Sequence, residues 1–434
     1  MTFRFLHTAD LHLGTPFQGL GKRFSEPWAA RLREAADSVF LRIVELAVSR
    51  DVDFVTIAGD LFDSDQAAMG AQFALLRGFQ RLQEAGIAAL VIHGNHDFVR
   101  RDREMVIRWP ANVTVLEASS SPATPHHQDP SSANEVIAPS RLFTVRDGRR
   151  VQVSGFSYHR KDLYGSRHMA YLRHPEADFA IGLYHGAIGD SSGHEPYCAT
   201  SVNELATRDF DFWGLGHVHQ PQILRQLGPV VVYPGNPQGR SLRETGQRGC
   251  TLVTVDDDGG VQLEFLQTAT VEWHTDTIDL SGCDEFPQVV QRVCQALERK
   301  LTHPDLGMVV HLSLTGRTKV HALLAEENVL EELAEDISSR LPQVCIARLT
   351  ATTLPNLDFS RLEHSAEFVG EFLRLSRVYL EQPERILQDF GSVLEEVFHS
   401  GNELSLEEMT PQQLRELVKI AQSHVMGFAG EVTT

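Results

Sequence analysis

Apolar residues recur at helical spacing in two early stretches of the chain. Residues 29–49 place Leu32, Ala36, Val39, Ile43 and Leu46 along one helical face. Residues 66–85 do the same with Met69, Phe73, Leu76 and Leu82, and Gly86 follows as a C-terminal stop. Between them, "VDFVTIAGD" is a short apolar run of the kind a buried strand shows. Such runs alternate with helical patterns up to about residue 270, which predicts an α/β sandwich.

The pattern changes near residue 275. Residues 271–350 predict a smaller α/β unit, with strands at 271–279, 308–314 and 344–349 and helices at 285–301 and 326–341. No polar cluster ends these strands. After residue 358 only helical periodicity remains, over 361–381 and 384–398 and in a last helix. That helix is predicted to start at Thr410, with Pro411 at its first position and Gln413 completing a capping box. Phe368, Phe372, Leu375 and Tyr379 put apolar surface on more than one helical face. They either pack onto the second unit or offer a docking surface. The Ser/Pro-rich stretch 118–134 reads as an exposed loop, with His126 and His127 solvated in it.

Composition narrows the function classes. A chain of 434 residues suggests two to three domains, and 42% hydrophobic with 22% charged residues is ordinary for a globular protein. There is no run of about 18 apolar residues. "MTFRFLHTAD" lacks the charged and apolar regions of a signal peptide. The five cysteines are scattered without CxxC spacing, which fits reduced thiols. Together these predict a cytoplasmic protein with no membrane partner. The formal net charge of −19 has the wrong sign for a stand-alone nucleic-acid binder. A nucleic-acid substrate would need positive charge from bound metal ions or from a basic partner.

The chemistry is concentrated where the apolar runs of the first 270 residues end. "FRFL" leads into "HTADLH", "VDFVTIA" into "GDLFD" and "AALVIH" into "GNHD". "DFAIGLY" leads into "HG" and "DFWGLG" into "HVH". In open α/β sheets ligands sit at the carboxyl ends of strands, so these five ends are expected to converge. In extended chain, residues i and i+2 point the same way, which aims Asp10 with His12 and His217 with His219. Gly59, Gly94 and Gly216 allow tight turns or close approach just before the polar residues. Aspartate, imidazole and amide without thiolate suit Mn, Fe or Zn, with Mn or Mg favoured where phosphate also binds. Seven ligands are too many for one ion and fit two ions sharing a carboxylate, a clamp for phosphoryl displacement.

D-x-H, GD-x-x-D, GNHD, HG and GH-x-H in this order resemble the calcineurin-like metallophosphoesterase superfamily. Within it, "HTADLHLG", "AGDLFDSD", "FDFWGLGHVHQPQ" and "YPGNPQGRSLRETG" resemble the SbcD-like double-strand-break-repair nucleases, in their YhaO-type bacterial branch. The resemblance covers roughly residues 1–270. It implies a four-layer-type β-sandwich flanked by helices over 1–272, then an α/β capping domain over 273–357 and a helical segment over 358–434. It implies two divalent ions, Mn(II) first among them. Asp10, His12, Asp60 and His219 would hold one ion, with Asp60 bridging, and Asn95, His185 and His217 would complete the other. His96 would be no ligand but a general acid or transition-state stabiliser, its ring held by Asp97 or by Asp63. Ser64 after Asp63 stands where the superfamily's protein phosphatases carry arginine, which argues against that branch.

The implied activity is hydrolysis of DNA from 3′ ends, with nicking of single strands. Arg240 and Arg243 either contact the DNA backbone or pair with Glu244. Tyr233, Gly235 and Asn236 shape the loop beside the metals, with Asn236 also a candidate substrate contact. The family works with a large coiled-coil, SbcC-like ATPase, which makes the C-terminal helices the candidate docking arm, and it commonly forms homodimers. Two rival readings remain: a small-molecule phosphodiesterase or phosphatase on the same site, and a DNA-end scaffold that does not cut. His7 reads as a strand histidine outside the site.

Overall fold

A computed structural model describes residues 2–15, 24–64, 69–99, 108–117, 137–189, 197–303, 305–356, 363–364, 368–398 and 410–432. The 118–134 loop, with His126 and His127, lies outside the described residues. So do 66–68 and parts of the 361–367 stretch.

The strands in chain order are β1 (Phe3–Thr8), β2 (Phe54–Ala58), β3 (Ala88–Ile92), β4 (Val113–Val115), β5 (Ser140–Thr144) and β6 (Arg150–Gly155). There follow β7 (Phe179–His185), β8 (Phe212–Gly216), β9 (Gln222–Arg225), β10 (Val230–Tyr233), β11 (Gly249–Val255) and β12 (Val261–Gln267). The last five are β13 (Val271–Asp279), β14 (Gly307–Thr315), β15 (Arg317–Thr318), β16 (Val344–Ala351) and β17 (Leu354–Pro355). The chain divides into two compact units, Met1–His274 with His303–Val309, and Thr275–Thr302 with Val310–Thr434.

The first unit is built on two six-stranded sheets, ordered β12-β11-β1-β2-β3-β4 and β5-β6-β7-β8-β10-β9. β1, β2, β3 and β4 run parallel, and so do β6, β7, β8 and β10. Alternation along each strand sorts the side chains into layers. Phe3, Phe5 and Phe54 from one sheet meet Val151, Phe179, Ile181 and Phe212 from the other in a core between the sheets. Phe5 stacks on Phe54 with ring centroids 4.9 Å apart, and Phe179 meets Phe3 edge-on at 5.5 Å.

Leu6, Val55, Ile57 and Val91 face the other way, onto the helices Glu26–Ser49 and Met69–Glu84. The predicted face of the first helix is the buried one, with Leu32, Ala36, Val39 and Ile43 inside. In the second helix only Leu82 of the predicted face is buried: Met69 and Phe73 are exposed, and Ala71, Ala74, Leu75, Gly78 and Phe79 face the core instead. Gly78 lets these helices close up, because a Cβ there would stand 2.3 Å from the Phe40 ring. A third cluster, with Tyr158, Tyr171, Tyr184 and Trp213, covers the outer face of the second sheet. The first unit is therefore the layered α/β sandwich that the alternation predicts.

His7 shares the inner face with Phe3 and Phe5. Its Nδ1 lies 3.0 Å from Thr56 Oγ1 and its Nε2 3.2 Å from the Leu215 carbonyl of the opposite sheet. Gly214 makes the room for it, since a Cβ there would touch the ring at 2.6 Å. Burial pushes the imidazole down to about 4. It is a neutral bolt between the sheets and stands apart from the site.

In the second unit the sheet order is β13-β14-β16, with β15 paired to β17. The helices Phe286–Glu298 and Glu327–Arg340 bury Val289, Val293, Leu297, Leu333 and Ile337. Three helices follow, Phe368–Glu381, Arg385–Phe398 and Pro411–Val432. Tyr379, Ile386, Leu414 and Val418 pack together among them. The expected capping box is formed: the Thr410 amide donates to Gln413 Oε1 (2.8 Å) and the Gln413 amide to Thr410 Oγ1 (3.4 Å). All five cysteines are free, and among the described residues no helix is long and apolar enough to cross a membrane.

Candidate metal centre

The parallel strands of both sheets end on one edge, and the polar residues of the five motifs follow them there. Asp10 and His12 come after β1, Asp60 after β2, Asn95 and His96 after β3, His185 ends β7, and His217 and His219 follow β8. The backbone is bent hard to deliver them. Asp10 (φ 53°), His12 (46°), Asp60 (52°) and His217 (98°) all adopt left-handed conformations. Non-glycine residues rarely hold these, and such strain gathers at functional sites. Lateral hydrogen bonds fix it: the Asp10 amide donates to the Gly59 carbonyl and the His12 amide to the Asp60 carbonyl, both at 3.0 Å.

Six of the seven expected ligands are joined by short contacts. His12 Nε2 and His219 Nε2 stand 3.1 Å apart, and His12 Nε2 is 3.6 Å from Asp60 Oδ2. His185 Nε2 is 3.6 Å from the same Asp60 oxygen and 3.0 Å from Asn95 Oδ1. The Asp10 carboxylate accepts the His217 amide at 3.0 and 3.1 Å. Asp10, His12 and His219 converge tightly enough to hold an ion, and so do Asp10, Asp60 and His185. The seventh, His217, brings its ring to 5.5 Å from that of His185. Gly94 is required at this point: a Cβ would stand 2.2 Å from Asp60 Oδ1 and 2.7 Å from His185 Nε2.

The donor set fits divalent cations. His185 Nδ1 faces the Ala58 carbonyl at 2.8 Å and must donate to it, which leaves a lone pair on Nε2. That lone pair, the Asn95 amide oxygen and an Asp60 oxygen then meet with no hydrogen donor among them. His12 Nδ1 is buried without an aligned hydrogen bond. Electrostatics agree. Burial raises the Asp60 carboxyl to about 7, with the Asp97 charge adding to it. Burial, then the Asp60 charge, pushes Asp10 well above the usual carboxylate range. Burial also holds His185 down at about 4 and His12 well below the usual imidazole range. Neutral imidazoles beside crowded carboxylates are what bound cations stabilise.

The arrangement around His96 departs from expectation. Asp97 does not touch its ring. The Asp97 carboxylate turns back into the loop and accepts the Leu61 amide (2.9 Å), the Gly94 amide (2.8 Å) and His93 Nδ1 (3.1 Å). Burial opposes its ionisation, but His93 and these donors hold it below the usual carboxylate range. His96 Nδ1 instead lies 3.0 Å from the backbone carbonyl of Asp63, and the His96 amide donates to Asp60 Oδ1 at 3.0 Å. Asp63 is therefore the ring's partner, through its carbonyl rather than its carboxylate. A four-residue loop brings Asp97 back to His93, and the i, i+4 spacing of those two was the available signal.

The expected substrate residues divide. Asn236 is fully buried. Its amide donates to the Gln238 carbonyl (2.9 Å) and Glu244 Oε2 (3.0 Å) and accepts from Arg248 Nη1 (3.1 Å). With every polar atom bonded inward, Asn236 shapes the loop and does not face substrate. Tyr233, beside it, donates to the Gly186 carbonyl at 2.6 Å and accepts the Ile188 amide at 3.0 Å. Arg240 pairs with Asp63 (2.7 Å) and Glu244 (3.4 Å), whereas Arg243 is exposed. Two residues here escaped the sequence reading. Glu244, seen only as an arginine partner, holds His219 Nδ1 at 2.7 Å. The buried Arg248 donates to the His219 carbonyl and to Gln220 Oε1. A buried arginine leaves no mark in the sequence.

Comparison with known proteins agrees with this geometry. The calcineurin-like phosphoesterase family matches residues 3–221, and the middle domain of metallophosphoesterase YhaO matches residues 273–353. The uncharacterised metallophosphoesterase YhaO of Bacillus subtilis is 33% identical over 77% of this chain and 77% of its own. The DNA double-strand break repair protein Mre11 of Methanopyrus kandleri is 26% identical over 70% of this chain and 65% of its own. The SbcD component of the nuclease SbcCD of Escherichia coli K12 is 26% identical over 83% of this chain and 96% of its own. With strand-end motifs, buried donor set and family match in agreement, the chain belongs to the calcineurin-like metallophosphoesterases.

Proposed function

We propose that the protein is a two-metal DNA nuclease, a 3′-to-5′ exonuclease that also nicks single strands, acting in double-strand-break repair. The observation that carries this reading is the convergence of carboxylate and imidazole side chains from separate strand ends, where His185 Nε2, Asn95 Oδ1 and Asp60 Oδ2 meet with no donor among them. Asp10, His12, Asp60 and His219 would hold one ion, and Asn95, His185 and His217 would hold the second, with Asp60 shared. When bound, two Mn(II) ions supply the positive charge that a phosphodiester needs and lower the pKa of a nucleophilic water.

The chain's own residues supply the rest. The Asp63 carbonyl can only accept, so it fixes the proton on His96 Nδ1. With Nδ1 so occupied, a second proton on His96 would sit on Nε2, and the cationic ring would give that proton to the departing 3′ oxygen, returning to the neutral Nδ1–H form. Asp97 serves this step at one remove, by holding the loop that carries His96. Arg243, exposed on the 240–248 loop, is the remaining candidate for a phosphate contact.

The relatives named for DNA repair and as a nuclease component support DNA over small esters. The three-part division at 272 and 357 belongs to the same proposal. So do the helical arm as the dock for a coiled-coil ATPase, a homodimer, and a cytoplasmic location. A partner that holds DNA also answers the charge of −19.

The test is a substrate panel with Mn(II): 3′-labelled duplex, single-stranded DNA, cyclic nucleotides and nucleotide esters, each with wild type and His96→Ala. Cutting of DNA by wild type, lost by at least ~100-fold in His96→Ala with both ions retained, is expected. Preference for small esters would replace this reading with the phosphodiesterase one. Wild type that binds DNA ends and cuts nothing would replace it with the scaffold.

A further inference from the structure

We propose that Glu244 is a positioning residue of the metal centre, acting with Arg240 and Asp63 to aim His219 and His12. The inference rests on the ligand assignment above. Glu244 is far from an ordinary surface ion pair, its side chain being 12% exposed. Its Oε1 takes His219 Nδ1 at 2.7 Å and Arg240 Nη2 at 3.4 Å. Its Oε2 takes the Arg240 amide at 2.6 Å and the Asn236 amide group at 3.0 Å. Behind it, Arg248 ties Asn236 Oδ1, Gln220 Oε1 (3.1 Å each) and the Thr245 carbonyl (2.8 Å) together. The 236–248 loop is thus a cradle closed around the His219 ring.

The second half of the device lies across the site. Arg240 Nη1 donates to Asp63 Oδ1 at 2.7 Å, and that oxygen is 3.3 Å from His12 Nδ1. Both imidazoles therefore carry a carboxylate oxygen at Nδ1 and bring their Nε2 atoms together, 3.1 Å apart. Arg240 spans the two carboxylates, offsets their repulsion and sets their spacing. At His219 the Glu244 carboxylate, hydrogen-bonded to Nδ1, fixes the proton there, leaves the lone pair on Nε2 and makes that nitrogen a stronger ligand, whereas Asp63 lies beside His12 Nδ1 without an aligned hydrogen bond. The same Asp63 carries the carbonyl at His96 Nδ1, so one short network orients ligands and proton donor alike. Arg240, on this reading, is a clamp within the protein and not a DNA contact.

The experiment is Mn(II) binding to the full chain without substrate, followed by the electron paramagnetic resonance of free Mn(II), for wild type, Glu244→Ala and Glu244→Gln. Wild type is expected to take up two ions. Glu244→Ala should weaken one of the two sites by about 10–100-fold and spare the other. Glu244→Gln keeps an acceptor oxygen without the charge and should fall between. Circular dichroism and the thermal midpoint report whether each variant is folded. A folded Glu244→Ala with both sites at wild-type affinity, or with both weakened equally, overturns the proposal. If Glu244→Ala does not fold, Glu244→Gln decides. Weakening confined to one site then supports the proposal, and two unchanged sites overturn it. Wild type that binds no Mn(II) would overturn the ligand assignment and this inference with it, a result separable from the others.

Discussion

Three donors converge on the Asp97 carboxylate in a dry environment: two loop amides and the His93 ring. Removing its charge leaves buried donors without a full partner, and such losses cost several kcal/mol. Asp97→Asn is therefore expected to lower stability by about 2–4 kcal/mol, read from urea unfolding of the metal-free protein. A change under 1 kcal/mol would count against the anchoring role. His7 gives a pH signature at the same scale. Its imidazole sits near 4 in the fold against 6.5 for an ordinary histidine. The unfolded chain then binds the extra proton first, so stability falls as pH drops from 6.5 towards 4 and the loss levels off below that. The full shift corresponds to about 3 kcal/mol. His7→Gln should flatten this part of the pH–stability curve, and a variant as acid-sensitive as wild type would refute it.

Strand ends explain why a single edge collects all the chemistry, and glycine explains how closely the ends approach. Gly94→Ala places a methyl group 2.2 Å from Asp60 Oδ1. The expected outcome is loss of Mn(II) uptake and at least ~100-fold of activity, with overpacking costing the fold only about 1–3 kcal/mol. Unchanged metal content in the purified variant would show that the approach is slacker than described. The strands, the two long helices and the Thr410 cap were legible because periodicity and capping are local signals. The gathering of polar residues at the strand ends was legible too, but not the way it is done: Asp10, His12 and His217 are aimed by left-handed backbone and not by i, i+2 spacing in extended chain. Spacing does not say which neighbour a side chain takes. Asp97 reached His93 in place of its adjacent His96, and Asn236 turned inward instead of towards substrate. Glu244 lies 25 residues from His219, with β9 and β10 between them. Nothing in the local pattern shows that this chain segment folds back.

At the scale of the molecule, the proposed function requires an acidic chain to approach an acidic polymer. Two bound divalent ions offset part of the −19 only locally. The proposed partner therefore has a defined job, and the helical arm offers apolar side chains for it: Phe368 is 73% and Leu375 44% exposed. Phe368→Asp with Leu375→Asp should leave the thermal midpoint within a few degrees, since exposed substitutions cost little. Mn(II)-dependent hydrolysis by the isolated chain should persist, while co-purification with the coiled-coil ATPase should be lost. A double variant that still co-purifies would move the dock elsewhere.

The metal centre itself is tested most directly by anomalous diffraction from crystals soaked in Mn(II). Two peaks about 3.5–4 Å apart, with Asp60 between them and the other six residues shared out around them, are expected. One peak, or none among Asp10, His12, Asp60, Asn95, His185, His217 and His219, would contradict a two-ion site in this protein.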